Sequence, residues 1–130
     1  MTMTSNTASG DDAVALVLNR DLMFGSRIRN ALAQIGLKTI VAPDSLRLAD
    51  AMREHGDDAV IAIIDMNGPV DWDTIRHMIE RAGDVPTLAF GPHVDVEVRR
   101  AAKAAGVSRI VSNGQFHSDM ISLIERYRRR

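Results

Sequence analysis

The feature that most constrains the fold of this chain is a short apolar run that ends at an aspartate. Residues 59–64 are all alanine, valine or isoleucine, and Asp65 follows them, with a Gly68-Pro69 turn soon after. The run is too short for an ordinary helix and lacks the alternation of a half-exposed strand. It therefore predicts a central strand of a parallel sheet, covered on both faces. We expect the Asp65 carboxylate at the carboxyl edge of that sheet, where open α/β sheets place their functional groups.

Length and composition indicate a single globular domain. A chain of 130 residues can bury roughly 68% of its unfolded surface, which is enough for one core. With 45% hydrophobic residues, 25% charged residues and a net charge of −1, the composition is that of an ordinary globular protein and gives no reason to expect nucleic acid as a partner. We expect a polar leader over residues 1–12 and a folded domain over residues 13–130.

The cysteine count and the length of the apolar runs indicate the cellular compartment in which we expect the protein. The chain has no cysteine, which excludes disulfides, thiolate zinc sites and cysteine nucleophiles and is compatible with a reducing cytoplasm, where we expect the protein. Its longest apolar runs are far short of a membrane span, so no membrane partner is expected.

Strand and helix patterns alternate along the whole domain. The predicted strands are 13–18, 38–42, 59–64, 86–90 and 109–112. The predicted helices are 22–35, 46–55, one ending at 82 after a cap at Asp71 or Asp73, 95–105, and one capped by Ser118. Helical spacing predicts an inner face for each helix, among them Leu46, Ala49 and Met52 in the second and Ile121, Ile124 and Tyr127 in the fifth. Strict alternation predicts an α/β fold in which five helices cover both faces of a doubly wound five-stranded parallel sheet, giving three layers.

Four segments in this order resemble the receiver domain of two-component response regulators. They are Arg27-Ile28-Arg29-Asn30-Ala31-Leu32 with Ile35-Gly36, Asp65-Met66-Asn67-Gly68-Pro69, Val85-Pro86-Thr87-Leu88-Ala89-Phe90, and Ala104-Ala105-Gly106-Val107. The resemblance covers about residues 13–127 and implies a CheY-like, flavodoxin-like fold with strand order 2-1-3-4-5. It also implies that Asp65 stands at the position that accepts a phosphoryl group from a histidine kinase.

The other functional positions of the receiver pattern are changed in this chain. The acidic pair that helps to hold a divalent metal falls on Asn19 and Arg20, and the serine or threonine that ends the fourth strand is replaced by Gly91. The conserved lysine falls on Asn113. The aromatic switch position falls on Ile110, and a metal-binding backbone carbonyl would belong to Asn67. The resemblance therefore implies an atypical receiver, or pseudo-receiver, with a degenerate phosphorylation site.

We predict that polar residues at the sheet edge take over the role of the lost metal. Magnesium usually needs one or two carboxylates, so Asp65 beside a guanidinium is a poor host and no cofactor is expected. Arg20 and Asp65 follow neighbouring strands, and we expect them to form an ion pair. Asp21 stands one residue too late to replace a metal ligand. His93 is a further candidate at this edge, although a loop histidine is more often only solvated or hydrogen-bonded.

Basic residues are concentrated in the last two predicted helices. The simple interpretation is favourable interaction with helix dipoles, together with solubility. The resemblance offers a second one, because the fourth helix, fifth strand and fifth helix form the partner-binding face of receivers. A homodimer could then pair basic residues of one copy with acidic residues of the other. The candidate interface residues are Arg99, Arg100, Lys103, Asp119 and Glu125.

The sequence leaves three functions open, and the first is favoured. It is a stand-alone signalling module that is not an enzyme and that binds a protein partner or itself, independently of aspartyl phosphorylation. The second is a single-domain response regulator phosphorylated on Asp65 with magnesium. The third is a small-molecule or anion-binding protein in which Arg20 and His93 contact the anion. The sequence contains no HExxH motif, Cys/His cluster, GxGxxG, P-loop or GxSxG motif to support an enzyme.

Overall fold

The computed structural model describes residues 12–130, and the expected leader therefore lies outside the described residues except for Asp12. The strands are β1 (Val14–Leu18), β2 (Lys38–Ala42), β3 (Ala59–Asp65), β4 (Thr87–Gly91) and β5 (Arg109–Ser112). The helices are α1 (Leu22–Gln34), α2 (Ser45–His55), α3 (Trp72–Ala82), α4 (Val96–Ala105) and α5 (Asn113–Tyr127). All four strand pairings are parallel, in the order β2-β1-β3-β4-β5. This confirms the predicted fold class and strand order. Within residues 12–130, no helix combines the length and the apolar character needed to cross a bilayer.

The central strand β3 is covered on both faces, as its composition predicts. Residues 59–64 are all buried. Ile61 and Ile63 belong to a core shared with α1 and α5, whereas Ala62 and Ile64 belong to a second core shared with α2, α3 and α4. Because successive side chains of a strand point to opposite faces, a strand with two helical layers needs apolar residues at every position.

The buried face of α2 differs from the prediction at one residue. Ala49 and Met52 are buried as expected, but Leu46 is 62% exposed and Leu48 is buried instead. An α-helix has about 3.6 residues per turn, so each step of three residues falls short of a full turn. Over the two steps from Met52 back to Leu46 the shortfall adds up, and Leu46 lies outside the buried face. The helix is capped by Asp44, whose Oδ1 accepts the Arg47 N–H at 2.8 Å.

The prediction that α5 begins at Ser118 is wrong. The helix begins at Asn113, directly after β5, and its cap is Ser112, whose Oγ accepts the Gln115 N–H at 3.1 Å. Ser118 Oγ donates to the Gln115 carbonyl instead, and the helix is kinked at Asp119. The inner side of α5 is Phe116, Met120, Leu123 and Ile124, whereas Ile121 and Tyr127 are only half-buried. The first turn of α5 therefore lies at the sheet edge, next to the end of β3.

Arg129 fastens the end of the chain to the opposite, amino-terminal edge of the sheet. Its guanidinium donates to the carbonyls of Gly56, Asp57 and Ala59 at 2.7–3.1 Å and to Asp84 Oδ1 at 2.9 Å. The Arg129 N–H donates to the Val60 carbonyl at 2.7 Å. Arg129 therefore stabilises the fold through hydrogen bonds at this edge of the sheet, a role that differs from interaction with the dipole of α5.

Candidate functional site

Asp65 is the last residue of β3 and lies half-buried at the carboxyl edge of the sheet. Its neighbours follow from the strand order. Leu18 pairs with Ile64, so Asn19 directly follows β1 beside Asp65, and Phe90 of β4 pairs with Asp65 itself. Asp65 therefore lies between the ends of two neighbouring strands, β1 and β4.

Neutral amide groups bind both oxygens of the Asp65 carboxylate. Asn19 Nδ2 donates to Oδ2 at 2.8 Å. The backbone N–H and the Nδ2 of Asn67 each donate to Oδ1 at 2.8 Å. Hydrogen bonds to a charged acceptor are among the stronger ones in proteins, so these contacts fix the position of the carboxylate.

Asn113 extends this network to the first residue of α5. Asn67 Nδ2 donates to Asn113 Oδ1 at 2.9 Å, and Asn113 Nδ2 donates back to Asn67 Oδ1 at 2.8 Å. We call Asn19, Asp65, Asn67 and Asn113 the amide cluster. It joins the ends of β1 and β3 to the start of α5 through side-chain hydrogen bonds, with one further bond from the Asn67 backbone N–H.

Asn19 is hydrogen-bonded to the end of β2 as well as to Asp65, and its amide lies beside α1. It is only 5% exposed, and its backbone N–H donates to the Ala42 carbonyl at 3.0 Å. A Cβ on Gly25 would lie 3.0 Å from Asn19 Oδ1, which is tighter than ordinary contact. The absence of a side chain at Gly25 therefore leaves the space that the Asn19 amide occupies.

The predicted ion pair between Arg20 and Asp65 is wrong. Arg20 is exposed, its Nε donates to the Pro43 carbonyl at 2.9 Å, and no ion pair described for residues 12–130 joins it to Asp65. Side chains alternate in direction along an extended chain. Because Asn19 points toward Asp65, its successor points away. The partner of the carboxylate is thus the neutral amide and not the guanidinium.

Asp21 and His93, which the sequence also placed at this edge, do not belong to the amide cluster. Asp21 caps α1, with its Oδ1 accepting the Phe24 N–H at 3.1 Å. His93 is exposed beyond the end of β4 and is not among the residues that line the cleft at this edge. Neither side chain contacts the Asp65 carboxylate through a hydrogen bond described for residues 12–130.

Gly91 is packed against Met66. A Cβ at Gly91 would lie 3.0 Å from Met66 Cβ and 3.2 Å from its Cε, and Met66 is only 5% exposed. The methionine therefore fills the space into which a serine or threonine at position 91 would extend. Glycine at position 91 and methionine at position 66 are thus sterically matched.

The donor set around Asp65 does not fit a divalent cation. Magnesium prefers an octahedron of oxygens and usually needs one or two carboxylates. Asn19 turns an N–H toward Asp65, and Asp21 uses its carboxylate as a helix cap. Among residues 12–130, no three histidine, aspartate or glutamate side chains are grouped so that they could hold a metal ion.

An open cleft of about 610 Å³ lies over the amide cluster. Asp65, Asn67 and Asn113 form part of its wall. Arg20, Arg27 and His117 also line it, so its polar rim contains two guanidinium groups and an imidazole as well as the carboxylate. The edge is therefore neither flat nor filled.

The candidate interface residues lie on α4 and α5. Arg100 and Lys103 are exposed, and Arg99 is half-buried. Arg100 lies 3.9 Å from Glu97 of its own helix, and Glu125 lies 3.4 Å from Arg128. Asp119 is exposed at the kink of α5. All five residues thus lie on the two elements that the sequence assigned to this face.

Comparison with known proteins gives a fold but no family assignment. No family model and no curated protein matches the sequence. The chain is similar to solved structures of the chemotaxis protein CheY4 of Vibrio cholerae (15% identity, TM-score 0.74, 88% of this chain and 98% of that chain) and of a response regulator receiver domain of Clostridium thermocellum (18%, 0.74, 88% and 92%). A response regulator of Thermotoga maritima is also similar (16%, 0.71, 88% and 95%). The chain therefore has the receiver fold.

Proposed function

We propose that residues 13–130 form a receiver-like signalling module that acts by binding a protein and not by ordinary aspartyl phosphorylation or other catalysis. The observation that carries this proposal is the amide cluster. Both oxygens of Asp65 accept hydrogen bonds from asparagine amides, at the edge where the receiver pattern has acidic and lysine side chains. The proposed cytoplasmic location rests on composition alone and stays a prediction.

Charge explains why such a site is poorly suited to phosphorylation. Phosphoryl transfer is catalysed mainly by positioning and by stabilising the negative charge of the transferred group. Asn19, Asn67 and Asn113 are neutral and cannot supply the charge of a metal ion or a lysine. An incoming phosphoryl group would also have to displace the amide hydrogen bonds of Asp65.

The amide cluster also suggests how the module keeps one shape. Asn113 begins α5, and its pairing with Asn67 ties that helix to the loop after β3. The α4-β5-α5 face would then have a constant arrangement, without a phosphorylation switch. The proposed partner is a protein or a second copy of the chain, bound through Arg99, Arg100, Lys103, Asp119 and Glu125.

Acetyl phosphate with magnesium, followed by intact-mass measurement, tests the proposal. We expect no phosphorylated wild-type species, because the donors around Asp65 do not fit a metal ion and, among the described residues, no lysine or arginine pairs with its carboxylate. The matched variant Asn19→Asp/Arg20→Asp restores two carboxylates at the edge and should bind magnesium more tightly. A wild-type phosphoprotein that is lost in Asp65→Asn would overturn the proposal in favour of a phosphorylated response regulator.

Sedimentation at increasing concentration tests the proposed homodimer. A dimer whose basic and acidic residues pair across a twofold axis should dissociate when Arg99, Arg100 and Lys103 are replaced by glutamate. Restoration by the reversed changes Asp119→Lys and Glu125→Lys would show that the charges face each other. A wild-type monomer at all concentrations would leave a different protein as the proposed partner.

The cleft favours a second candidate function, the binding of a small anion. Arg20, Arg27 and His117 line a cavity large enough for a small metabolite. The sequence suggested His93 as an anion contact, but of these two histidines it is His117 that borders the cleft. His117 is therefore the histidine of this second candidate function. Calorimetric titration with phosphate should then give saturable binding that Arg27→Ala weakens. Binding that Arg27→Ala leaves unchanged would contradict this second function.

A further inference from the structure

Both asparagines of the reciprocal amide pair are followed by glycine. The dipeptides are Asn67-Gly68 and Asn113-Gly114. Asn-Gly is the sequence in which a backbone nitrogen attacks the preceding asparagine side chain with least steric hindrance, because glycine has no Cβ to obstruct the ring that forms. The two asparagines that hold the cluster together are therefore also the two best placed, by sequence, to lose their amides.

The local backbone separates the two candidates. Gly114 belongs to the first turn of α5, where helical dihedral angles fix its nitrogen. Asn67 and Gly68 are exposed in a turn after β3, and a Cβ at Gly68 would meet nothing within 4 Å. The backbone beside Gly68 thus has open space around it, and we expect Asn67 to be the more reactive of the two asparagines.

Asn113 restrains this reaction. Its two hydrogen bonds hold the Asn67 side-chain amide in one rotamer, with Nδ2 pointing at Asn113 Oδ1 and at Asp65 Oδ1. Ring closure requires the Asn67 Cγ to turn toward the nitrogen of Gly68. The side chain must leave its partners before it can react.

We propose that Asn67 is a deamidation site whose rate is controlled by its pairing with Asn113. The Gly68 nitrogen attacks Cγ of Asn67 and loses its proton, and the side-chain nitrogen leaves as ammonia, which forms a succinimide. Water then opens the ring to give aspartate or isoaspartate, so the net change is one water consumed and one ammonia released. This proposal rests on the amide cluster and does not depend on the signalling role.

Deamidation would open the cluster. A side-chain carboxylate at position 67 has no N–H to donate to Asp65 Oδ1 or Asn113 Oδ1, so of the Asn67 bonds to Asp65 only the one from the backbone N–H would remain. The carboxylate also adds a second negative charge where Asn67 Nδ2 now lies 2.8 Å from the Asp65 carboxylate. Like charges at such separations repel unless a proton or a cation comes between them. The modification would therefore convert an amide-held carboxylate into a pair of carboxylates suited to a hard cation.

Peptide mapping by mass spectrometry during prolonged incubation at mildly alkaline pH tests the proposal on the full chain. In the wild type, we expect position 67 to convert from amide to acid faster than Asn30, an exposed asparagine of α1 that is followed by alanine. Asn113→Ala removes two hydrogen bonds from Asn67. Losing each hydrogen bond should raise the fraction of molecules with a free Asn67 side chain about fivefold. Deamidation of Asn67 should therefore be about 25-fold faster in Asn113→Ala than in the wild type. The urea-unfolded chain sets the upper limit of the rate.

Two glycine variants serve as matched controls. Gly68→Ala should slow conversion at Asn67, and its fold should be retained because the added Cβ meets no atom and the backbone there is not left-handed. Gly114→Ala leaves the turn at Asn67 and Gly68 unchanged and should not slow conversion at Asn67. The proposal is overturned if position 67 converts no faster than Asn30, or if Asn113→Ala leaves the rate unchanged while circular dichroism shows a folded protein.

Discussion

Asn67 and Asn113 exchange two amide hydrogen bonds, of 2.9 and 2.8 Å, across the carboxyl edge of the sheet. The residues are 46 positions apart in sequence, so the pairing closes a long loop between β3 and α5. Asn67 at the same time donates to Asp65, which makes the position of the carboxylate dependent on the position of α5. The groups that couple the carboxylate to α5 are the neutral amides of Asn67 and Asn113.

Asn19→Ala should lower the free energy of unfolding by about 1 to 3 kcal/mol, because it removes a donor to Asp65 Oδ2 and leaves a buried polar group with one partner fewer. Denaturant unfolding measures this change. Asn30→Ala is the matched control, since Asn30 is exposed on α1, and it should change stability by no more than about 0.5 kcal/mol. Equal effects of the two variants would show that the Asn19 contact contributes nothing.

Gly91→Thr should destabilise the fold by about 1 to 3 kcal/mol, because the new side chain overlaps Met66 in a packed region. The double variant Gly91→Thr/Met66→Ala should lose less stability than the sum of the two single changes, since the truncated methionine makes room. Thermal unfolding of the four proteins gives the coupling. If the stability losses of the two single variants simply add in the double variant, contact with Met66 is not the reason that position 91 needs glycine.

Arg20→Ala should leave magnesium affinity unchanged and cost at most about 1 kcal/mol, because the arginine loses only its exposed contact with the Pro43 carbonyl. Calorimetric titration and denaturant unfolding check the two parts. A clear gain of magnesium binding in this variant would restore the ion pair with Asp65 that the sequence suggested.

Arg129→Ala should destabilise the protein by about 2 kcal/mol, because several carbonyls at the amino-terminal edge of the sheet lose a charged donor. Arg100→Ala is the control. Its pair with Glu97 is long and exposed, and such pairs contribute little. Indistinguishable unfolding midpoints for the two variants would contradict the role assigned to Arg129.

The sheet was predictable from sequence because its signals are local. Residues 59–64 are apolar at every position, and a strand covered on both faces requires that. Asp44, Asp71 and Asp95 each stand directly before a helix and accept an N–H three residues later. Local chemistry of this kind is visible in a window of a few residues.

The amide cluster and the Arg129 contacts were not predictable in the same way, because both depend on the direction of side chains. Side chains alternate in direction along a strand, so a shift of one residue at the end of β1 decides whether Asn19 or Arg20 faces Asp65. The start of α5 was misjudged because Ser112 and Ser118 are both good caps by composition. The packing of Phe116 against Phe90, with ring centroids 4.1 Å apart, favours the earlier start.

The most direct test of the central claim is an NMR titration with magnesium and beryllofluoride that follows the backbone amide of Asn67. That N–H donates to Asp65 Oδ1 and reports any ligand that reaches the carboxylate. We expect its resonance to stay in place in the wild type and to move in Asn19→Asp/Arg20→Asp. A saturable shift in the wild type that disappears in Asp65→Asn would contradict the claim that amide groups have replaced the phosphorylation machinery.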